Sequence, residues 1–290
     1  MPAPKTPAPT EPEKPVDLDP AAAALRGALV NVICYAPAGS KVRSISGSGI
    51  VIDPKGIVLT NAHIAQHFLL KSEGVSCSIR AGSPAVTRYD AALIYLPAAW
   101  IEANAKLLTK PNPTGTGERD FALLAITRSL TSELLPATYP FVPLAVRWPS
   151  AGTPVVIASY AAQFLGGEQI RSALFPTIVF GRVETLYTFG TNTADVIALG
   201  GSAAAQEGSS GGGVASEGGT LLGTITTSTT EGDTSARSLD AITASYIRAA
   251  YASDTGSPID VLLAKPTAES VADFAPRLPE LEAILTAQLQ

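Results

Sequence analysis

The run Gly208-Ser209-Ser210-Gly211-Gly212-Gly213, followed at once by Val214-Ala215, constrains this chain more than any other stretch. Glycine takes positive φ without a steric penalty, so glycines this dense around two serines ask for a tight turn shaped by the backbone. Such a turn exposes one hydroxyl and aims neighbouring N–H groups at one point in space. That is what a serine nucleophile with an oxyanion hole needs. Taken alone, the same run also reads as a flexible Gly/Ser loop joining two strands.

Two stretches upstream weigh against the plain loop. Leu59-Thr60-Asn61-Ala62-His63 closes a strand-like run over 49–58, and Asp120 opens the apolar run DFALLAI over 120–126. The chain has only two histidines, His63 and His67, so a histidine-dependent mechanism must use one of them. A carboxylate that orients a histidine must be buried and fixed. Asp90 and Glu118 compete for that role, but Asp120 alone begins a continuous apolar strand.

Together the segments GSGIVI (47–52), LTNAHI (59–64), DFALLAI (120–126) and GSSGGG (208–213) resemble the patterns GSGxxI, LTNAHV, DLALLxI and GNSGGP. These belong to the chymotrypsin/trypsin clan of serine proteases, and within it to the bacterial Htr-type (DegP-like) branch. The resemblance spans roughly residues 30–230. It implies an all-β core of two six-stranded antiparallel barrels, with His63 as general base, Asp120 as its orienting carboxylate and Ser210 as nucleophile. It further implies an oxyanion hole from the N–H groups of Gly208 and Ser210, and a hydroxyl of Thr226 supporting Asp120. Ala204, Thr227 and Ser228 would line the specificity pocket. No Asp stands in 202–206, so a small or aliphatic side chain is expected before the scissile bond rather than Arg or Lys. The chain departs from the pattern at Ser209, where relatives carry Asp or Asn, and at Gly213, where they carry Pro. No activation by a freed N-terminus is therefore expected.

The function implied is that of a serine endopeptidase acting on protein or peptide substrates through an acyl-enzyme, with no cofactor and no metal. A catalytically inactive protease fold serving as a binding scaffold is the alternative. Gly208–Gly212 also satisfies G-x-S-x-G, but the α/β-hydrolase elbow needs a His after the Ser, and none follows position 67. His67 lies four residues after His63, a spacing that suits zinc. The Glu such a helix would need is missing, and His67 is expected to be a partly exposed helix residue.

Hydrophobic residues make up 46% of the 290 positions and charged residues 16%, as in a globular protein. A net charge of −5 argues against nucleic acid or an anionic membrane as the main partner. No apolar run reaches the ~18 residues that span a bilayer, and no basic start with an apolar core marks a leader. Seven prolines fall within the first 20 residues, so residues 1–21 are read as a stiff, disordered linker. Short strands punctuated by Gly and Pro then fill an N-terminal barrel over 22–140, holding His63 and Asp120, and a C-terminal barrel over 141–235, holding Ser210. The Pro-rich region 139–149 is the expected connection. Helical spacing of Leu239, Ile242, Tyr246, Ile247 and Ala250 assigns 236–290 to a helical extension, with a last helix from 279 to 290. No further module follows, so the PDZ domain usual in Htr-type relatives is expected to be missing.

Cys34 and Cys77 bracket His63 in sequence. The resembled clan often has a disulfide holding the catalytic-histidine loop, which implies a Cys34–Cys77 bond; two buried free thiols remain the other reading. A bond favours an oxidising compartment. With the Pro-rich start, it points to an extracytoplasmic protein (periplasmic, cell-surface or secreted) whose signal or anchor lies outside this sequence.

Overall fold

The computed structural model describes residues 16–110, 115–190, 193–228 and 238–290. The linker expected over 1–21 lies mostly outside the described residues. Within them, its end is already helical: α1 spans Asp19–Ala28, with Pro20 in its first turn, where a missing N–H costs nothing. Ala21, Leu25 and Ala28 recur at helical spacing and are buried, and α1 packs on strands of both β units described below.

Six strands follow around the first unit: β1 (Leu29–Tyr35), β2 (Ile45–Asp53), β3 (Ile57–Thr60), β4 (Ser76–Ala81), β5 (Val86–Tyr95) and β6 (Ala122–Ser129). They close into an antiparallel barrel in the order β1-β2-β3-β6-β5-β4. Ile50, Ile57, Leu59, Ile79 and Leu123 fill its interior without measurable exposure. Burying each such side chain contributes about 1.5–3 kcal/mol, which is why so short a strand as β3 holds its place. β3 feeds the short helix α2 (Ala62–Ala65) and a 3-10 turn over Gln66–Leu69. Between β5 and β6 stands α3 (Ala98–Asn104).

The 139–149 region is the connection between the units, and its backbone ties into both. Tyr139 N–H donates to Pro54 O and Val142 N–H to Val51 O, while Leu221 N–H donates to Pro143 O and Ala145 N–H to Leu221 O.

The second unit differs from the expected six-stranded barrel. It is a curled seven-stranded sheet in the order β8-β7-β11-β12-β13-β10-β9. Its strands are β7 (Pro154–Ser159), β8 (Thr177–Arg182), β9 (Thr185–Tyr187), β10 (Val196–Ala198), β11 (Gly213–Ser216), β12 (Leu221–Ser228) and β13 (Leu239–Thr243); α4 (Gly167–Ser172) lies between β7 and β8. β13 corrects the helical reading of Leu239 and Ile242. Leu239, Ala241 and Ile242 are all buried, and the segment pairs with β12 on one side and β10 on the other. Sheet hydrogen bonding on both edges outweighs an apolar spacing that also fits a helix. The helix starts one element later. Thr243 caps α5 (Ala244–Thr255) by accepting from Tyr246 N–H, and Gly256, at φ +71°, ends it. Then come α6 (Ile259–Ala264), α7 (Thr267–Phe274) and α8 (Leu278–Thr286), the last shorter than the expected 279–290. α7 packs on β5 and β6, so the extension buttresses the first barrel. No helix among the described residues is long and apolar enough to cross a membrane.

Candidate active site

Three of the predicted site residues converge where the barrel faces the sheet. His63 sits on α2 because Asn61 ends β3 extended and the chain turns at once into the helix. Its Nδ1 lies 2.7 Å from Asp120 Oδ2, and its backbone N–H donates to Asp120 Oδ1 at 3.0 Å. Thr226, on β12, donates its hydroxyl to Asp120 Oδ2 at 2.8 Å. Asn61 Nδ2 donates to the Asp120 carbonyl at 2.8 Å, and Gln66 Nε2 to the His63 carbonyl at 3.0 Å.

Asp120 is 6% exposed. Burial alone would push its pKa up. The positive charge that His63 can carry and the hydrogen bonds from the His63 ring, the His63 N–H and the Thr226 hydroxyl outweigh that, and hold the carboxyl below its ordinary range. The carboxylate therefore stays ionised beside the imidazole. Its position at Nδ1 leaves Nε2, on a side chain 26% exposed, as the ring nitrogen with no hydrogen-bond partner among the described residues.

The Gly-rich run forms the tight turn its composition asks for, with Gly208 at φ +88° and Gly211 at φ +84°. It also separates the two serines. Ser209 is 1% exposed, and its hydroxyl accepts from Ser159 Oγ at 3.1 Å, whereas Ser210 is half-buried and its hydroxyl has no hydrogen-bond partner among the described residues. The N–H groups of Gly208 and Ser210 donate to no protein group among the described residues, while Ser209 N–H donates to Gln206 O, and Gly211 N–H to Ile225 O. Two free donors thus flank a free hydroxyl.

What seats this turn against the barrel is Ser48, the middle residue of the GSG that opens the first motif. Its N–H donates to Ser210 O at 2.7 Å, its hydroxyl donates to Gly208 O at 2.7 Å, and that hydroxyl accepts from Tyr160 N–H at 2.8 Å. Thr60 Oγ1 in turn donates to Ser48 O at 2.7 Å. The signal was present in the motif: a Ser between Gly47 and Gly49, each pressed so close to Ile64 or Val58 that a Cβ would clash.

The matched comparison is a trypsin-like peptidase domain over residues 47–223, more than half of the chain. The chain belongs to the trypsin-like peptidase family. No curated protein sequence matches it. Among solved structures, this peptidase resembles the active form of the Rv3671c protease from M. tuberculosis, at 20% identity and TM-score 0.51, over 89% of this chain and 95% of that one. The inactive form of the same protease matches at 19% identity and TM-score 0.50, over 82% and 93% of the two chains. At such identity the likeness speaks for the fold.

The remaining predicted positions fall differently. Cys34 and Cys77 face each other across β1 and β4 and are joined by a disulfide, S–S 2.08 Å. Ala204 packs into the apolar core with no exposed surface. Thr227 and Ser228 end β12, and their side chains lie outside the described residues. His67 is buried rather than partly exposed, because the 3-10 turn folds its ring against the backbone of Ile64 and Arg43. Among the described residues no group of three His, Cys, Asp or Glu side chains is placed to hold a metal ion.

Proposed function

We propose that this peptidase is a serine endopeptidase in which Ser210, His63 and Asp120 act as a triad through an acyl-enzyme. The observation that carries the reading is the His63 Nδ1–Asp120 contact at 2.7 Å on a buried carboxylate, because it fixes the tautomer that leaves Nε2 basic. Ser210 Oγ attacks the scissile carbonyl carbon and passes its proton to His63 Nε2. The resulting oxyanion sits on the N–H groups of Gly208 and Ser210. The imidazolium then protonates the leaving amine, the C–N bond breaks, and the acyl group remains as an ester on Ser210. A water molecule, deprotonated by His63, repeats the addition and frees the acid. Thr226 and the His63 N–H keep Asp120 ionised through both half-reactions.

The substrate is a protein or peptide with a small or aliphatic residue before the scissile bond. The disulfide supports an extracytoplasmic location, since such bonds persist in oxidising compartments.

The test compares Ser210→Ala with Ser209→Ala in casein hydrolysis and fluorophosphonate labelling. Ser210→Ala removes the attacking oxygen, and in a triad that acts as a unit turnover should fall by roughly 10⁶-fold, as in subtilisin. Ser209→Ala should lose far less. Wild-type labelling in Ser210→Ala would sink the assignment, and a chain that binds peptides without labelling at all would be a binding scaffold.

A further inference from the structure

Among the described residues Arg119 is the only non-glycine with positive φ, at +56°, and it immediately precedes Asp120. A Cβ-bearing residue takes this left-handed conformation uncommonly and against a steric cost, so its surroundings must compensate. Three contacts surround it. Its N–H donates to Tyr246 Oη at 3.0 Å, its guanidinium pairs with Asp254, and its carbonyl accepts from Phe121 N–H at 2.9 Å. The first two partners come from α5, where Tyr246 and Asp254 lie eight residues apart and so share one helix face.

Asp254 is oddly placed for a helix on its own account. It stands in the last turn of α5, where the helix dipole disfavours a negative charge. Its two oxygens are both engaged by the site's side of the fold: one by Arg119, the other by the Tyr95 hydroxyl of β5 at 2.8 Å. Tyr95 stacks on Phe121 at 5.5 Å between ring centres and packs on Tyr251 of α5 at 4.8 Å. The residues before and after Asp120 are thus both gripped by one constellation. The φ and ψ of Arg119 set the direction in which Asp120 leaves the turn, whose N–H donates back to Gly117 O at 3.1 Å.

We propose that α5 is a positioning element for the site: Tyr246 and Asp254 hold Arg119 left-handed, and that conformation presents the Asp120 carboxylate to His63. The first helix of the C-terminal extension thereby reaches the reaction without touching substrate. This rests on the proposed roles of Asp120 and His63.

The double variant Tyr246→Phe/Asp254→Asn removes the acceptor and the charge while keeping both shapes. We expect kcat to fall roughly 10- to 100-fold, the scale of a small misplacement, with KM little changed. The low-field proton resonance of the His63 Nδ1–H shared with Asp120 should move upfield or broaden. Adding Arg119→Gly to the double variant should restore both readouts, because glycine takes a positive φ freely; adding Arg119→Val should not. Unchanged kcat and resonance in the double variant, or equal effects of Gly and Val, would overturn the proposal. Should the double variant fail to fold, Arg119→Gly and Arg119→Val in the otherwise unaltered chain decide by the same comparison. The resonance does not depend on turnover, so a chain whose Ser210 proves inert refutes the triad and still tests the strut.

Discussion

Ser48 holds Ser210 by the backbone: its N–H donates to the Ser210 carbonyl at 2.7 Å, from the barrel across to the loop of the sheet. The hydroxyl of the same residue donates to Gly208 O and accepts from Tyr160 N–H, so one buried residue holds the turn at Gly208 through its side chain and at Ser210 through its backbone. The peptides that carry the Gly208 and Ser210 N–H groups are fixed through their own carbonyls, Glu207 O by Ala162 N–H at 2.8 Å and Ser209 O by Gly212 N–H at 2.9 Å, while Ser48 holds the next carbonyls, those of Gly208 and Ser210.

Ser48→Ala should accordingly damage the site without unfolding the protein. It leaves the Gly208 carbonyl and the Tyr160 N–H unpaired in a buried place, at about 1–3 kcal/mol for each such group. We expect a lower unfolding midpoint in urea and a fall in kcat/KM larger than the loss of folded protein explains. Wild-type kcat/KM in a destabilised Ser48→Ala would show that the loop keeps its shape without this residue.

Gly211→Ala should be harsher. A Cβ at Gly211 would stand 2.0 Å from Ser48 O and 2.6 Å from Thr60 Oγ1, on a backbone at φ +84°. Neither neighbour is the free end of a flexible chain, so the turn itself must move. A strained φ alone costs more than about 1 kcal/mol, and the collision adds to it. Fluorophosphonate labelling should be lost in the soluble fraction of this variant; labelling at the wild-type rate would contradict the packing described.

Much of this site could be read in the sequence, and the part that could not has a physical reason. His63, Asp120 and Ser210 stand in short motifs whose residues are fixed by local backbone needs, so the strand ends and turns that carry them were legible. The clash-tight glycines around Ser48 were visible too, but its partners lie more than a hundred residues away, and spacing carries no record of such contacts. Leu239–Thr243 misled for a related reason. Its apolar residues fit either period, and only pairing with β10 and β12 decides for a strand. Arg119 was silent, since nothing local marks an Arg as left-handed; the cause sits on α5. His67 looked like a surface residue because a 3-10 turn rotates it inward from where an α-helix would leave it.

The Cys34–Cys77 bond closes a separation of 43 residues around α2 and His63. In the chain-entropy account a loop of this size stabilises by between about 3 and 4.7 kcal/mol, by restricting the unfolded chain. Cys34→Ser/Cys77→Ser should therefore unfold at markedly lower urea. Its kcat should remain near wild type under conditions where it is folded, because the bond lies on the β1–β4 side of the barrel while His63 hangs from β3. An intact mass taken without reductant should sit two hydrogens below that of the reduced chain. Two titratable thiols per unreduced chain would refute the bond.

The last expectation concerns His67 and acid. Burial pushes its pKa from the usual 6.5 down to about 4, against the raising effect of its bonds to the backbone of Ile64 and Arg43. The ring is therefore neutral in the folded protein at pH values where an unfolded chain would already have protonated it. The sign follows: between about pH 6.5 and 4 the unfolded state binds the extra proton, so stability falls as the pH drops through that window. A gap of this width corresponds to roughly 3 kcal/mol. Asp120, held below its ordinary range, adds its own loss only as the pH falls below about 4, so the two contributions separate on the pH axis. His67→Gln keeps a donor for the Ile64 carbonyl and cannot titrate. Urea unfolding at half-unit steps from pH 7 to 4 should show a steep slope for the wild type and a shallow one for His67→Gln. Parallel slopes in the two proteins would mean that the ring is not buried as neutral imidazole.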